Sequence, residues 1–143
     1  MIRHLTRAFC AAALAIAPLA LTVTPAHAVA SCTVNGRPVT GTTVNGTAGA
    51  DLILCGALAP GDRVDGLGGS DFIVITGTVA GTVAGGAGSD QITANAGVAP
   101  TGQVLGGDDN DLVRVGPNAG LVDGGTGVDL CRVASGNPPV NCP

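Results

Sequence analysis

The chain has 143 residues, a formal net charge of −4 and a composition with two phenylalanines, no tyrosine and no tryptophan. Its acidity argues against nucleic acid or an anionic membrane as partner. The scarcity of large side chains excludes a core built on bulky residues, each of which ordinarily contributes about 1.5–3 kcal/mol when buried.

Residues 1–28 read as a secretory signal peptide. Arg3 and Arg7 precede a mostly apolar run from Ala8 to Leu21, and Ala26-His27-Ala28 has the small residues of a cleavage site. The run is shorter than the roughly 20 residues a membrane-spanning helix needs. A secreted, extracellular protein is expected. Val29-Ala30-Ser31-Cys32 is also similar to a bacterial lipoprotein box, which would make the chain a cell-envelope lipoprotein anchored at Cys32. The polar break at Pro25–His27 and the cysteine count both weigh against that alternative. Cleavage after Ala28 leaves Cys32, Cys55, Cys131 and Cys142, an even number suited to an oxidising compartment.

Residues 29–44 are expected to form an N-terminal cap. From residue 45 to residue 132 one pattern recurs five times: Gly46-Thr47-Ala48-Gly49-Ala50-Asp51-Leu52-Ile53, Gly66-Leu67-Gly68-Gly69-Ser70-Asp71-Phe72-Ile73, Gly85-Gly86-Ala87-Gly88-Ser89-Asp90-Gln91-Ile92, Gly106-Gly107-Asp108-Asp109-Asn110-Asp111-Leu112-Val113 and Gly124-Gly125-Thr126-Gly127-Val128-Asp129-Leu130-Cys131. The aspartates step by 20, 19, 21 and 18 residues, a period that marks a solenoid. Each glycine-rich stretch suits a turn, and each stretch after the aspartate suits a short strand. Val64, Val83, Val104 and Val122 supply a second apolar signal per coil, just ahead of the next turn. Two strands and two turns per coil predict an all-β fold, a thin parallel β-roll of about five coils with the aspartates along one edge. Residues 133–143 are expected to form a C-terminal cap.

The pattern resembles the glycine- and aspartate-rich nonapeptide of the RTX, or haemolysin-type, calcium-binding repeat proteins. The resemblance covers Gly46 to about Arg132. It implies that the eighth repeat position points into the roll. It also implies that Ca2+ is held between coils by Asp51, Asp71, Asp90, Asp111 and Asp129. The turn carbonyls of Gly46, Gly49, Gly66, Gly69, Gly85, Gly88, Gly106, Asp109, Gly124 and Gly127 would complete the coordination. Five turns leave room for up to four such ions. A bare column opposes folding, since carboxylates about 5 Å apart repel by roughly 3 kcal/mol at an effective dielectric near 20. Calcium takes six to eight oxygens, backbone carbonyls included, whereas magnesium demands stricter geometry. Zinc lacks its usual ligands, because no histidine follows the leader and the cysteines look paired.

The copies are not identical. Asp109 stands where glycine is usual, and aspartate tolerates left-handed backbone better than most residues. Thr47 and Leu67 replace the second glycine. Asn45, Asp65 and Asp123 read as turn residues and Asp62 as a solvated loop acid.

Four cysteines allow three connectivities. Their positions favour Cys32–Cys55 and Cys131–Cys142, which staple the two open ends of a solenoid. The tail from Ala134 to Pro143 is expected to fold back as a lid tied through Cys142. No enzyme is expected, because beyond residue 28 there is neither histidine nor lysine for acid–base or nucleophilic work. The function read from the sequence is a non-enzymatic extracellular structural or adhesive module folded by calcium, with its macromolecular partner unspecified. A sheet-face binder of polysaccharide or ice is the alternative, although Thr76, Thr78 and Thr82 form no recurring row.

Overall fold

Burial alternates along the strands that follow each aspartate. Leu52–Cys55, Phe72–Ile75 and Gln91–Ala94 each turn their second and fourth residues inward. That period of two is what one sheet face packed on a core requires. The computed structural model describes residues 30–143; the expected signal peptide lies outside the described residues. Within them the chain forms twelve strands and no helix: β1 (Ala30–Val34), β2 (Arg37–Gly41), β3 (Thr43–Asn45), β4 (Leu52–Cys55), β5 (Arg63–Asp65), β6 (Phe72–Ile75), β7 (Thr82–Ala87), β8 (Gln91–Ala94), β9 (Gln103–Asp108), β10 (Leu112–Asn118), β11 (Leu121–Thr126) and β12 (Leu130–Gly136).

From β3 onward the chain winds as a β-solenoid of about five coils. The even strands together with β1 form one sheet in the order β12-β10-β8-β6-β4-β1-β2, and the remaining odd strands a facing one in the order β11-β9-β7-β5-β3. Every pairing between coils is parallel. The registers place equivalent repeat positions side by side, so Ile53, Ile73, Ile92, Val113 and Cys131 form one inward column. Val44, Val64, Val83, Val104 and Val122 form another. The four aliphatic members of the first column and all five valines of the second are fully buried, and Cys131 packs against them partly covered. The expected inward positions of both strands are therefore where the sequence put them.

A third column closes the edge opposite the aspartates. Leu58, Val79 and Val98 bridge one another in parallel and are buried, and Asn118 continues the row at its C-terminal end. The two-strand pattern expected from the sequence does not include this column, because each coil contributes only a single bridging residue to it. The core is thus one layer of small aliphatic side chains enclosed on three sides.

Asp62 corrects the expectation of a solvated acid. It is 2 % exposed, and its Oδ2 accepts the Ala59 N–H at 2.8 Å while its own N–H bonds the Ala59 carbonyl at 3.0 Å. It fastens the turn at the opposite edge from within. Asp65 and Asp123 are turn formers as expected, accepting the N–H of Leu67 at 3.1 Å and of Gly125 at 3.0 Å two residues on. Asp65 also pairs with Arg63 at 2.6 Å.

Both ends are capped, and both expected disulfides are present, Cys32–Cys55 and Cys131–Cys142. At the N-terminus β1 and β2 form an antiparallel hairpin across Asn35-Gly36, both with positive φ, the turn chemistry that an Asn-Gly pair supplies. β1 then pairs antiparallel with β4, placing Cys32 opposite Cys55. The Cys32 sulfur is therefore engaged in a disulfide. The C-terminal lid starts later than expected. Residues through Gly136 extend β12 along β10, pairing Ser135 with Pro117 and Gly136 with Asn118, and the lid begins at Asn137. Parallel pairing continued because Ala134-Ser135-Gly136 precedes the prolines that end it.

Candidate functional site

The five repeat aspartates stack along one edge, and all are buried, at 3–4 % exposure. One oxygen of each carboxylate builds a ladder. The N–H of Asp51 donates to Oδ1 of Asp71, that of Asp71 to Asp90 and that of Asp90 to Asp111, each at 2.8 Å, and that of Asp111 donates to Asp129 at 2.9 Å. Every coil is thus tied to its successor by a bond from main chain to carboxylate. The sequence did not foretell this use of Oδ1.

The second oxygen separates the turns into two kinds. Oδ2 of Asp71, Asp90, Asp111 and Asp129 is buried without any hydrogen-bond partner. Such groups are rare in native proteins, because an unpaired buried polar atom carries its full desolvation cost. Each of these oxygens faces a cradle left by the first glycine of its own turn. A β-carbon on Gly66 would run into Asp71 Oδ2 and the Gly85 carbonyl; on Gly85, into Asp90 Oδ2 and the Gly106 carbonyl; on Gly106, into Asp111 Oδ2 and the Gly124 carbonyl. Only glycine fits at this position, because a carboxylate oxygen of one coil and a carbonyl oxygen of the next converge on it.

The first turn is different. Oδ2 of Asp51 accepts the Thr47 N–H, and the Thr47 hydroxyl donates to it at 3.0 Å. Asn35, in the hairpin turn of the cap, donates its Nδ2 to Asp51 Oδ1, and its Oδ1 accepts the Leu52 N–H at 2.9 Å. Asn35 supplies what a preceding coil would have supplied. The charge follows the bonding. The Thr47 N–H, with the Asn35 and Thr47 side chains, holds the Asp51 carboxyl below the usual aspartate range, against a smaller opposing effect of burial. Burial pushes Asp71 up, partly offset by the bond from the Asp51 N–H and reinforced by the Asp51 charge. Burial pushes Asp90 and Asp111 up to about 6 each, with the neighbouring carboxylates of the column adding to it.

Of the carbonyls expected as ligands, the structure brings those of Gly66, Gly85, Gly106 and Gly124 to the carboxylates. Those of Gly49, Gly69 and Asp109 face the fourth residue of the following turn instead. Asp109 and Leu67 take positive φ, 74° and 75°, so the irregular second and fourth turns keep their path. Among the described residues no three carboxylate, imidazole or thiol side chains meet at one point. A cation in these cradles would therefore draw most of its oxygens from the backbone, which suits calcium and not zinc. Sequence reasoning passed over Asn35 and took Thr47 only as a replaced glycine. The Asn35-Gly36 dipeptide was the available signal for the first, and a side chain with both donor and acceptor at a glycine position was the signal for the second.

Compared with protein-family models, with curated proteins and with solved structures, the chain matches none.

Proposed function

We propose that this is a secreted calcium-binding repeat protein of RTX type, a non-enzymatic extracellular structural or adhesive module that calcium holds in its folded form. The observation that carries this reading is the set of buried, unpartnered carboxylate oxygens of Asp71, Asp90, Asp111 and Asp129, the first three of which meet a carbonyl of the next coil at the first glycine of their own turn. Calcium accepts this mixture of carboxylate and carbonyl oxygens. It would neutralise a column whose members otherwise repel one another and are starved of solvent. The core is one layer of valine and isoleucine, so relief of that electrostatic cost weighs heavily in the balance of folding.

The chain's own residues do the positioning. The Oδ1 ladder fixes each carboxylate so that Oδ2 points toward the first glycine of its turn, where only glycine lets the following carbonyl approach it. A ligand that binds only assembled turns converts binding energy into folding energy, about 2.7 kcal/mol per site at 100 times Kd. Circular dichroism of the secreted chain in chelator and in calcium tests this. Calcium should raise the β signal and the melting temperature. The same spectrum and the same Tm in both would end the proposal. Magnesium at equal concentration should act weakly.

A further inference from the structure

The last cradle lies where no sixth coil follows, yet it has the same two walls as the others. A β-carbon on Gly124 would meet Asp129 Oδ2 at 2.7 Å and would also run into the carbonyl of Asn141, in the C-terminal tail. We propose that the tail acts as a sixth half-turn, with the Asn141 carbonyl and Asp129 completing a cation site that the Cys131–Cys142 disulfide holds together. This rests on the calcium reading above.

The tail copies a coil at the level of the backbone. Val140 bridges Asp123 in parallel. The Gly124 N–H donates to the Val140 carbonyl at 3.0 Å, as the Gly46 N–H does to Asp65 at 2.7 Å and the Gly66 N–H to Ala84 at 2.9 Å. Val140 thus occupies the place of the last strand residue before a turn, and Asn141 the place of the turn's first glycine. Asn141 adopts φ of +51°, a region asparagine tolerates. Its Nδ2 donates to Asp123 Oδ1 at 2.8 Å, which fixes the peptide. On the side of the coil, Asp129 is 3 % exposed, and its Oδ2 has no partner.

Two anchors set the tail at this height. At its start, the Asn137 N–H donates to the Asn118 carbonyl at 2.7 Å, and the Asn118 Nδ2 to the Asn137 carbonyl at 3.0 Å. At its end, Cys142 is bonded to Cys131, the eighth residue of the same repeat that carries Asp129. Asn141 stands 17 residues after Gly124 (141−124), close to the repeat step. With Thr47 already serving Asp51 in the first turn, the tail adds a site at one end where the other end closes its own.

Calcium stoichiometry by native mass spectrometry, with calorimetry for affinity, tests the proposal on the secreted chain. The C131S/C142S double variant should bind one calcium fewer than wild type, and Asp129→Asn should lose the same one. Combining them should lose no more than either alone. Asn141→Gly keeps the carbonyl and the positive φ and should keep the full number. Asn141→Val disfavours that φ and should weaken one site, without needing the disulfide removed. Undiminished binding in both C131S/C142S and Asn141→Val would overturn the proposal. So would the loss of two ions on combining C131S/C142S with Asp129→Asn. In either case the calcium reading of the interior turns stands. A wild-type protein that binds no calcium would remove that reading and this site with it.

Discussion

The first turn and the four that follow share one repeat, yet they solve the same electrostatic problem differently. In the first, Thr47 and Asn35 surround Asp51 with donors, and its carboxyl is held low. In the others the second repeat position is leucine or glycine, no donor reaches Oδ2, and burial drives the interior carboxyls Asp71, Asp90 and Asp111 up. The first turn differs in that the N–H at position two reaches Oδ2 of the repeat aspartate, whereas the N–H of Leu67 and of Gly125 goes to Asp65 and Asp123 instead. A solenoid with one self-sufficient coil, stapled by Cys32–Cys55, has a formed edge on which later coils can assemble.

Asparagine substitutions break or sharpen that comparison most strongly, because they should have opposite signs at the two places. In Asp90→Asn the carbonyl keeps accepting the Asp71 N–H, and the amide nitrogen replaces an orphaned oxygen beside the Gly106 carbonyl, to which it can donate. The calcium-free protein should gain about 1–3 kcal/mol, the range for satisfying a buried polar group, while calcium loses a ligand and stabilises less. In Asp51→Asn the amide must turn a donor toward either the Thr47 N–H or the Asn35 Nδ2, and stability should fall by a similar amount. Urea denaturation in chelator and in calcium reads both. The same sign for the two variants in chelator would erase the distinction between the turns.

Acid gives a second handle. Asp90 and Asp111 have folded-state pKa values raised to about 6, and Asp71 is raised as well. A raised group binds its proton more tightly in the folded state. The stability it contributes is present below the unfolded value of about 3.9 and is lost as pH rises through the folded value. Asp51 is lowered and acts in the reverse sense, its contribution being lost only as pH falls below the ordinary aspartate range. Calcium-free protein should therefore melt higher near pH 4.5 than near pH 7.5, and saturating calcium should remove most of the difference at pH 7.5. A calcium-free Tm that climbs from pH 4.5 to 7.5 would show that the interior carboxylates do not bear the burial cost argued here.

The periodic parts of this architecture were legible in the sequence. The aspartate step, the inward Ile53–Ile73–Ile92–Val113 column and the valine column follow from spacing, because stacked coils repeat the same position at the same place. The disulfides followed from where the cysteines lie relative to the repeats. What was hidden belongs to places where the repeat stops or is met only once per coil. Asn35 acts across a hairpin with no repeat of its own. Asn141 sets its carbonyl against Gly124 as a first glycine would, after a shortened coil. Leu58, Val79 and Val98 carry a column on single residues, and Asp62 is drawn inward by the N–H of Ala59, a local bond that reads in sequence only as an acid in a proline-glycine turn. The direction of Oδ1 along the column was equally hidden, since spacing locates a carboxylate and says nothing of which N–H its oxygens meet.

The smallest expected effect tests the cause of the difference. Thr47→Val keeps the side-chain shape and the main-chain N–H that bonds Asp51, and removes only the hydroxyl. That hydroxyl donates to Asp51 Oδ2 at 3.0 Å and also accepts the Gly49 N–H at 3.2 Å. The turn is partly exposed, so water replaces part of what is lost, and the cost in chelator should be about 1 kcal/mol. Hydrogen exchange should localise it, with faster exchange over Asp51–Cys55 and unchanged protection in the coils beyond β6. The number of bound calcium ions should not change, because the Thr47 N–H still occupies Oδ2. If the variant exchanged like wild type in the first coil, the hydroxyl would be incidental and the main-chain bond alone would set that turn apart. If it gained a calcium ion, the hydroxyl itself would be what excludes the cation from the first cradle.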